Sequence, residues 1–131
     1  MVKCGWILFL VFVAFSSCKK KDTEDSTIAE LKEHNMKIIP EQPTSKNEVS
    51  LIVLNDCEYN KLIQNKRAGK TITIEKQFNS AMKLPCIQKN DTISIGKLPA
   101  GDYKVNYSLF DVATSTSTPV ETFSFDLSVS K

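Results

Sequence analysis

The chain holds one His and four Cys, and these few groups bound the chemistry open to it. A Ser or Cys nucleophile needs a base beside it, most often His. His34, the single His, falls in a charged N-terminal stretch, away from the strand-like segments. Paired carboxylates are the other common acid–base device. Asp56 and Glu58 flank Cys57, while Asp91, Asp102, Asp111 and Glu121 fall near strand ends. Nothing in their spacing fixes two of them at the separation that glycoside hydrolysis needs, so they read as solvated loop groups. Only four Gly are present, scattered, so there is no phosphate-cradling loop. Asp-x-Asp calcium spacing is missing too. The expectation is a protein that is not an enzyme and takes no cofactor and no metal.

Charge and aromatic content narrow the partners. The net charge of +2 gives no basic excess for nucleic-acid binding. Lys61, Lys66, Arg67 and Lys70 form a local basic stretch near Tyr59, which reads as a solvated face with a basic turn. The one Trp, Trp6, lies in an apolar N-terminal run, and Tyr103 and Tyr107 fall on a core-facing side. Tyr59 is then the one exposed ring expected, and glycan binding is not.

The N-terminus reads as a targeting segment. Lys3 precedes an apolar run from Trp6 to Phe15. A membrane-spanning helix needs about 20 residues, so the run fits the core of a signal peptide instead. Phe15-Ser16-Ser17-Cys18 resembles a bacterial lipobox, with Phe standing where Leu is usual. The resemblance implies cleavage after residue 17 and acylation of Cys18. The following Lys19-Lys20-Lys21-Asp22 resembles the start of mature lipoproteins from Bacteroidetes-type bacteria. Two acyl chains would hold the protein stably. An outer-membrane anchor follows, with the domain in the periplasm or at the cell surface.

With Cys18 carrying lipid and Cys4 removed, Cys57 and Cys86 remain. Two Cys in an exported chain usually pair. A metal site needs more ligands than these two, and a redox pair needs Cys-x-x-Cys spacing. A structural disulfide is expected.

Residues 18–35 read as the lipidated Cys and a charged tether. Thr27-x-x-Glu30 offers a capping box for one short helix carrying Ile28 and Leu31, marginal alone. From residue 36 to 131 the signals are β. Met36–Ile39 is a short strand stopped by Pro40 and Pro43. Val49–Leu54 is apolar at nearly every position. Thr71–Phe78 alternates, with Ile72, Ile74 and Phe78 on one side. Ile93 and Ile95 share a face in Asp91–Ile95. Tyr103, Val105, Tyr107 and Leu109 share a face in the next strand, with Phe110 an exception. Phe123, Phe125, Leu127 and Val129 share one in the last. The stretch 57–70 reads equally as helix or as strand and turn. The sum is an all-β domain of six or seven strands, an antiparallel β-sandwich.

Leu98-Pro99-Ala100-Gly101-Asp102-Tyr103-Lys104-Val105 resembles the Leu-Pro-x-Gly-x-Tyr-x-Val stretch of bacterial Ig-like envelope domains. That resemblance implies an Ig-like sandwich in which the Gly ends a loop and the Tyr begins a late core strand. It is nearly silent on function. Asp25-Ser26-Thr27 and Asp91-Thr92-Ile93 resemble the O-glycosylation motif of Bacteroidetes-type exported proteins, with Ser26 and Thr92 as acceptors. The expected function is a non-catalytic envelope lipoprotein that binds a protein partner. The loops expected to contact it are the polar connections at Pro43, Thr44 and Ser45 and at Thr114, Ser115 and Thr116. The competing reading is a small β-sandwich protease inhibitor.

Overall fold

The computed structural model describes the backbone of residues 20–131 and the side chains of residues 26–131. The expected signal peptide and Cys18 lie outside the described residues. One helix, α1 (Lys20–Glu33), precedes seven strands. They are β1 (Met36–Ile39), β2 (Val49–Cys57), β3 (Lys61–Ala68), β4 (Thr71–Phe78), β5 (Gln88–Gly96), β6 (Gly101–Asp111) and β7 (Glu121–Val129). They form two sheets, β1-β2-β5 and β3-β4-β6-β7. The strand density in the sequence implied this all-β sandwich. One pairing departs from the antiparallel expectation. β4 and β6 run parallel, Thr71 beside Lys104 and Phe78 beside Asp111. The cause is the path between them. The chain leaves β4, runs back through the other sheet as β5, and returns as β6, so two reversals restore the original direction.

The core is made by side-chain alternation on both sheets. Val49, Leu51 and Val53 of β2 and Ile93 of β5 face Ile72 and Ile74 of β4, Val105 and Tyr107 of β6, and Phe125 and Leu127 of β7. All are buried, and each such side chain contributes roughly 1.5–3 kcal/mol. Leu109 and Phe123 pack against this cluster from its margin.

The helix is longer than the capping box implied. It runs through Thr27, which therefore sits inside the helix and not at its start. Its C-terminal half joins the domain: Leu31 is 3% exposed and belongs to the core cluster. Thr27 and Ile28 lie near Leu127 and Ser128, whereas His34 reaches Glu121. The helix thus lies antiparallel along β7.

The segment left open between helix and strand resolves as strand. β2 continues to Cys57, and β3 follows as an edge strand. A two-residue turn, Gly69-Lys70, joins β3 to β4. Gly69 has φ 61°, a geometry that other residues resist.

The Leu-Pro-x-Gly-x-Tyr stretch forms a corner. Leu98 is buried, and the Tyr103 hydroxyl donates to the Pro99 carbonyl at 2.6 Å. Lys70 Nζ lies 4.4 Å from the Tyr103 ring centre, and Gly101, with φ 152°, leaves room for that lysine. A side chain at position 101 would strike it. Tyr103→Phe is expected to cost about 1 kcal/mol, measured by urea unfolding. An unchanged midpoint would show that the hydrogen bond contributes nothing net.

Candidate functional site: a charged cluster below an apolar groove

Lys76 sits on β4 in step with Ile72 and Ile74, and so points between the sheets. It is 0% exposed. Burying an ammonium alone is costly, and two carboxylates meet this one. Lys76 Nζ donates to Asp56 Oδ2 of β2, and to Asp91 Oδ2 of β5 at 2.6 Å. Asn60 Nδ2 donates to the other oxygen of Asp56 at 2.7 Å. Among the described residues, every buried side-chain polar atom has a partner.

A bulge in β2 makes this geometry. The β2–β5 register shifts between Val53 and Asp56, and Asn55 adopts φ 53°. Val49, Leu51 and Val53 face inward, so simple alternation would send Asp56 outward. The inserted residue reverses the parity and turns Asp56 to the core, a usual effect of bulges. Asn tolerates the left-handed backbone, and Asn90 Oδ1 accepts from the Asn55 amide at 3.1 Å. Tyr107 lies in the same region. Burial, reinforced by the negative charges of Asp56, Glu121 and Asp91, raises its phenol above the ordinary 10.0.

Beside the cluster, the same end of the sandwich carries a groove of about 790 Å³. Cys57, Tyr59, Phe78, Met82, Leu84 and Leu109 are among its walls. Cys57 and Cys86 are bonded, with Cα atoms 4.9 Å apart. The Glu58 amide donates to the Ile87 carbonyl at 2.9 Å, so the 79–87 segment is held against the end of β2. That leaves Met82 at 61% and Ile87 at 50% exposure, high for side chains of this type on a tethered segment. Lys61 is the one charged residue lining the groove. The basic stretch lies on β3, with Lys61, Lys66 and Arg67 exposed along the sheet edge.

The two predicted loops do not come together. Pro43 is buried and its carbonyl accepts from the Ser130 amide at 3.1 Å, while the Ser45 amide donates to the Ser130 carbonyl at 2.8 Å. Thr44 is further held by Asn47 Oδ1, which accepts from its amide and hydroxyl. That segment is therefore stitched to the end of β7. Thr114, Ser115 and Thr116 precede the start of β7. Nine strand residues separate the two loops, roughly 30 Å. Only the 114–116 loop shares an end with the groove. Ser26 and Thr92 are both exposed.

The remaining candidates have separate places. His34 stacks on Phe123, ring centres 3.9 Å apart, with Nδ1 3.4 Å from Glu121 Oε1. It is part of the packing between α1 and β7, not a free group of a tether. Asp102 accepts from the Ser128 hydroxyl at 2.8 Å across the β6–β7 pair. Asp111 is held by the side chain and amide of Ser80 and by the Ala113 amide, which together lower its carboxyl below the ordinary 3.8. A carboxyl lowered on folding stabilises the fold above its unfolded value, and that contribution fades as pH falls through the lower folded value. Asp111→Asn is therefore expected to lower stability at neutral pH and to flatten its decline below roughly pH 4, followed by chemical unfolding across pH. A variant with the same acid limb as the parent would show the reading to be wrong.

The sequence offered one signal for the charged cluster: a Lys at the inward parity of β4. It offered none for Asp56, whose direction depends on the bulge. Among the described residues, no three His, Cys, Asp or Glu side chains gather to hold a metal ion, and no helix is long and apolar enough to cross a membrane. No family model matches the chain, and no curated protein or solved structure is similar enough to it to count as a match.

Proposed function

We propose that the chain is a non-catalytic envelope lipoprotein whose sandwich binds a protein partner through the groove at the disulfide end. Cys18 carries the anchor in this reading. The observation that carries the binding assignment is the apolar groove, held open by the Cys57–Cys86 bond and flanked by exposed Met82, Leu84 and Ile87. Lys61 sets a positive charge on its wall. The complementary occupant is a polypeptide segment with apolar side chains flanked by acidic ones. The course of α1 supports the reading. Thr27 and Ile28 lie beside Ser128, at the end opposite the groove, so the side leading to Cys18 faces away from the partner.

The test places a photo-crosslinking residue at Met82 in one full-length protein and at Thr44 in another, in living cells. A discrete protein adduct from position 82 and none from 44 supports the groove. Equal adducts from both, or none from 82, overturns it. Cys18→Ser in the same cells is expected to move the protein from the membrane to the soluble fraction. Retention in the membrane overturns the anchor assignment alone.

A further inference from the structure

Lys76, Asp56 and Asp91 do more than balance charge between the sheets. A primary amine and a carboxyl held in contact, away from water, are the reactants of amide formation. We propose that the folded protein joins Lys76 to Asp56 by an isopeptide bond, with Asp91 moving the proton.

The parts required are all present. Lys76 is 0% exposed and its Nζ touches Asp56 Oδ2, so the amine lies against the carboxyl group it would attack. Holding two reactants together removes much of the entropic barrier of a bimolecular step. Asn60 Nδ2, 2.7 Å from Asp56 Oδ1, stabilises negative charge as it grows on that oxygen. Asp91 Oδ2, 2.6 Å from Nζ, is within reach to take a proton from the attacking nitrogen. Its side chain is 35% exposed, which leaves a route to water for the product.

The step balances without any further reagent. One proton passes from the Lys76 ammonium to the Asp56 carboxylate, giving amine and acid. Nζ attacks Asp56 Cγ, forming the C–N bond. Asp91 takes a proton from that nitrogen and returns it to the departing hydroxyl. The C–O bond breaks and one water leaves. Nothing is oxidised or reduced, and Asp91 ends with the charge it began with. In bulk water an ammonium and a carboxylate favour remaining apart as ions. In this site both are desolvated, and the amide removes two buried charges.

The same fold shows why these two residues are the ones joined. The bulge at Asn55 aims Asp56 inward, and the inward parity of β4 aims Lys76 back at it. The bond would tie β2 of one sheet to β4 of the other. It would lie next to Cys57, already bonded to Cys86. One covalent tie would then survive reduction.

The experiment uses the full chain, denatured, reduced, alkylated and cut with trypsin. Linear cleavage would separate residues 47–61, which contain Asp56, from 71–76 and 77–83. The expected product is a branched peptide joining 47–61 to 71–83, lighter by one water, with no cut after Lys76. Linear peptides alone, with full cleavage after Lys76, overturn the proposal. The readout needs no variant, so a folding defect cannot obscure it. In Asp91→Asn, loss of the branched peptide is expected while the Cys57–Cys86 bond still forms. A branched peptide in that variant overturns the part given to Asp91.

Discussion

Lys76→Ala is expected to be the most damaging single substitution in the domain. It leaves Asp56 facing the core with its cationic partner gone. Removing one member of a buried ion pair costs about 3–5 kcal/mol. A domain of this size has in total roughly 5–15 kcal/mol of stability, so a fifth of it or more is at stake. The melting temperature should fall by roughly 12 °C or more. An isopeptide bond at the same place would enlarge the loss. Asp91 contributes less to the penalty, because its side chain is 35% exposed and can rehydrate. The paired change Lys76→Met with Asp56→Leu leaves no unpaired charge between the sheets and is expected to be clearly more stable than Lys76→Ala, while falling short of a parent that carries the cross-link. Urea unfolding of the parent, the single and the double variant decides it. A single variant within about 1 kcal/mol of the parent would mean that the cluster is solvated in solution.

The second large effect belongs to the disulfide. The bond closes a separation of 29 residues, for which chain entropy gives about 3.6 kcal/mol. That term acts on the unfolded chain. The native side adds little strain relief or packing, since Cys86 is exposed and the β2–β5 ladder already pairs Cys57 with Gln88. Cys57→Ala with Cys86→Ala is therefore expected to lose roughly 3–4 kcal/mol, measured by chemical unfolding, with the slope of the transition compared as well. The loss should also show locally. With the bond gone, the Glu58–Ile87 and Ser80–Asp111 hydrogen bonds and the side-chain packing are left to hold the segment carrying Met82 and Leu84. Hydrogen exchange there should rise before it rises in β6 or β7. Equal stability in the presence and absence of reductant would contradict the whole account.

These two sites differ in how far the sequence revealed them. The disulfide followed from counting Cys. The strands β6 and β7 were plain because one face of each is buried and the other solvated, and alternation records that difference. β3 gave no pattern because nearly every position on it is exposed. An edge strand with both faces in solvent has no reason to alternate. The helix showed weakly in the sequence because, among its described side chains, Leu31 is the one that joins the core cluster. The charged cluster stayed hidden for a different reason. Its members come from three strands, and one of them points inward only because of a one-residue bulge. Parity could suggest Lys76; no local rule could supply Asp56. The groove is likewise a property of the turn after β4 pressed against the end of β2, which no single segment encodes.

The antiparallel course of α1 along β7 has a mechanical consequence. A tether drawn from the helix start and a partner gripping the groove would pull from opposite ends of the sandwich. Tension then runs along the strands, and the hydrogen bonds between them lie across that line. Loaded in this way, a strand ladder resists with all its bonds at once instead of opening one by one from an end. With the proposed anchor and partner in place, the domain would be loaded in shear along its strands.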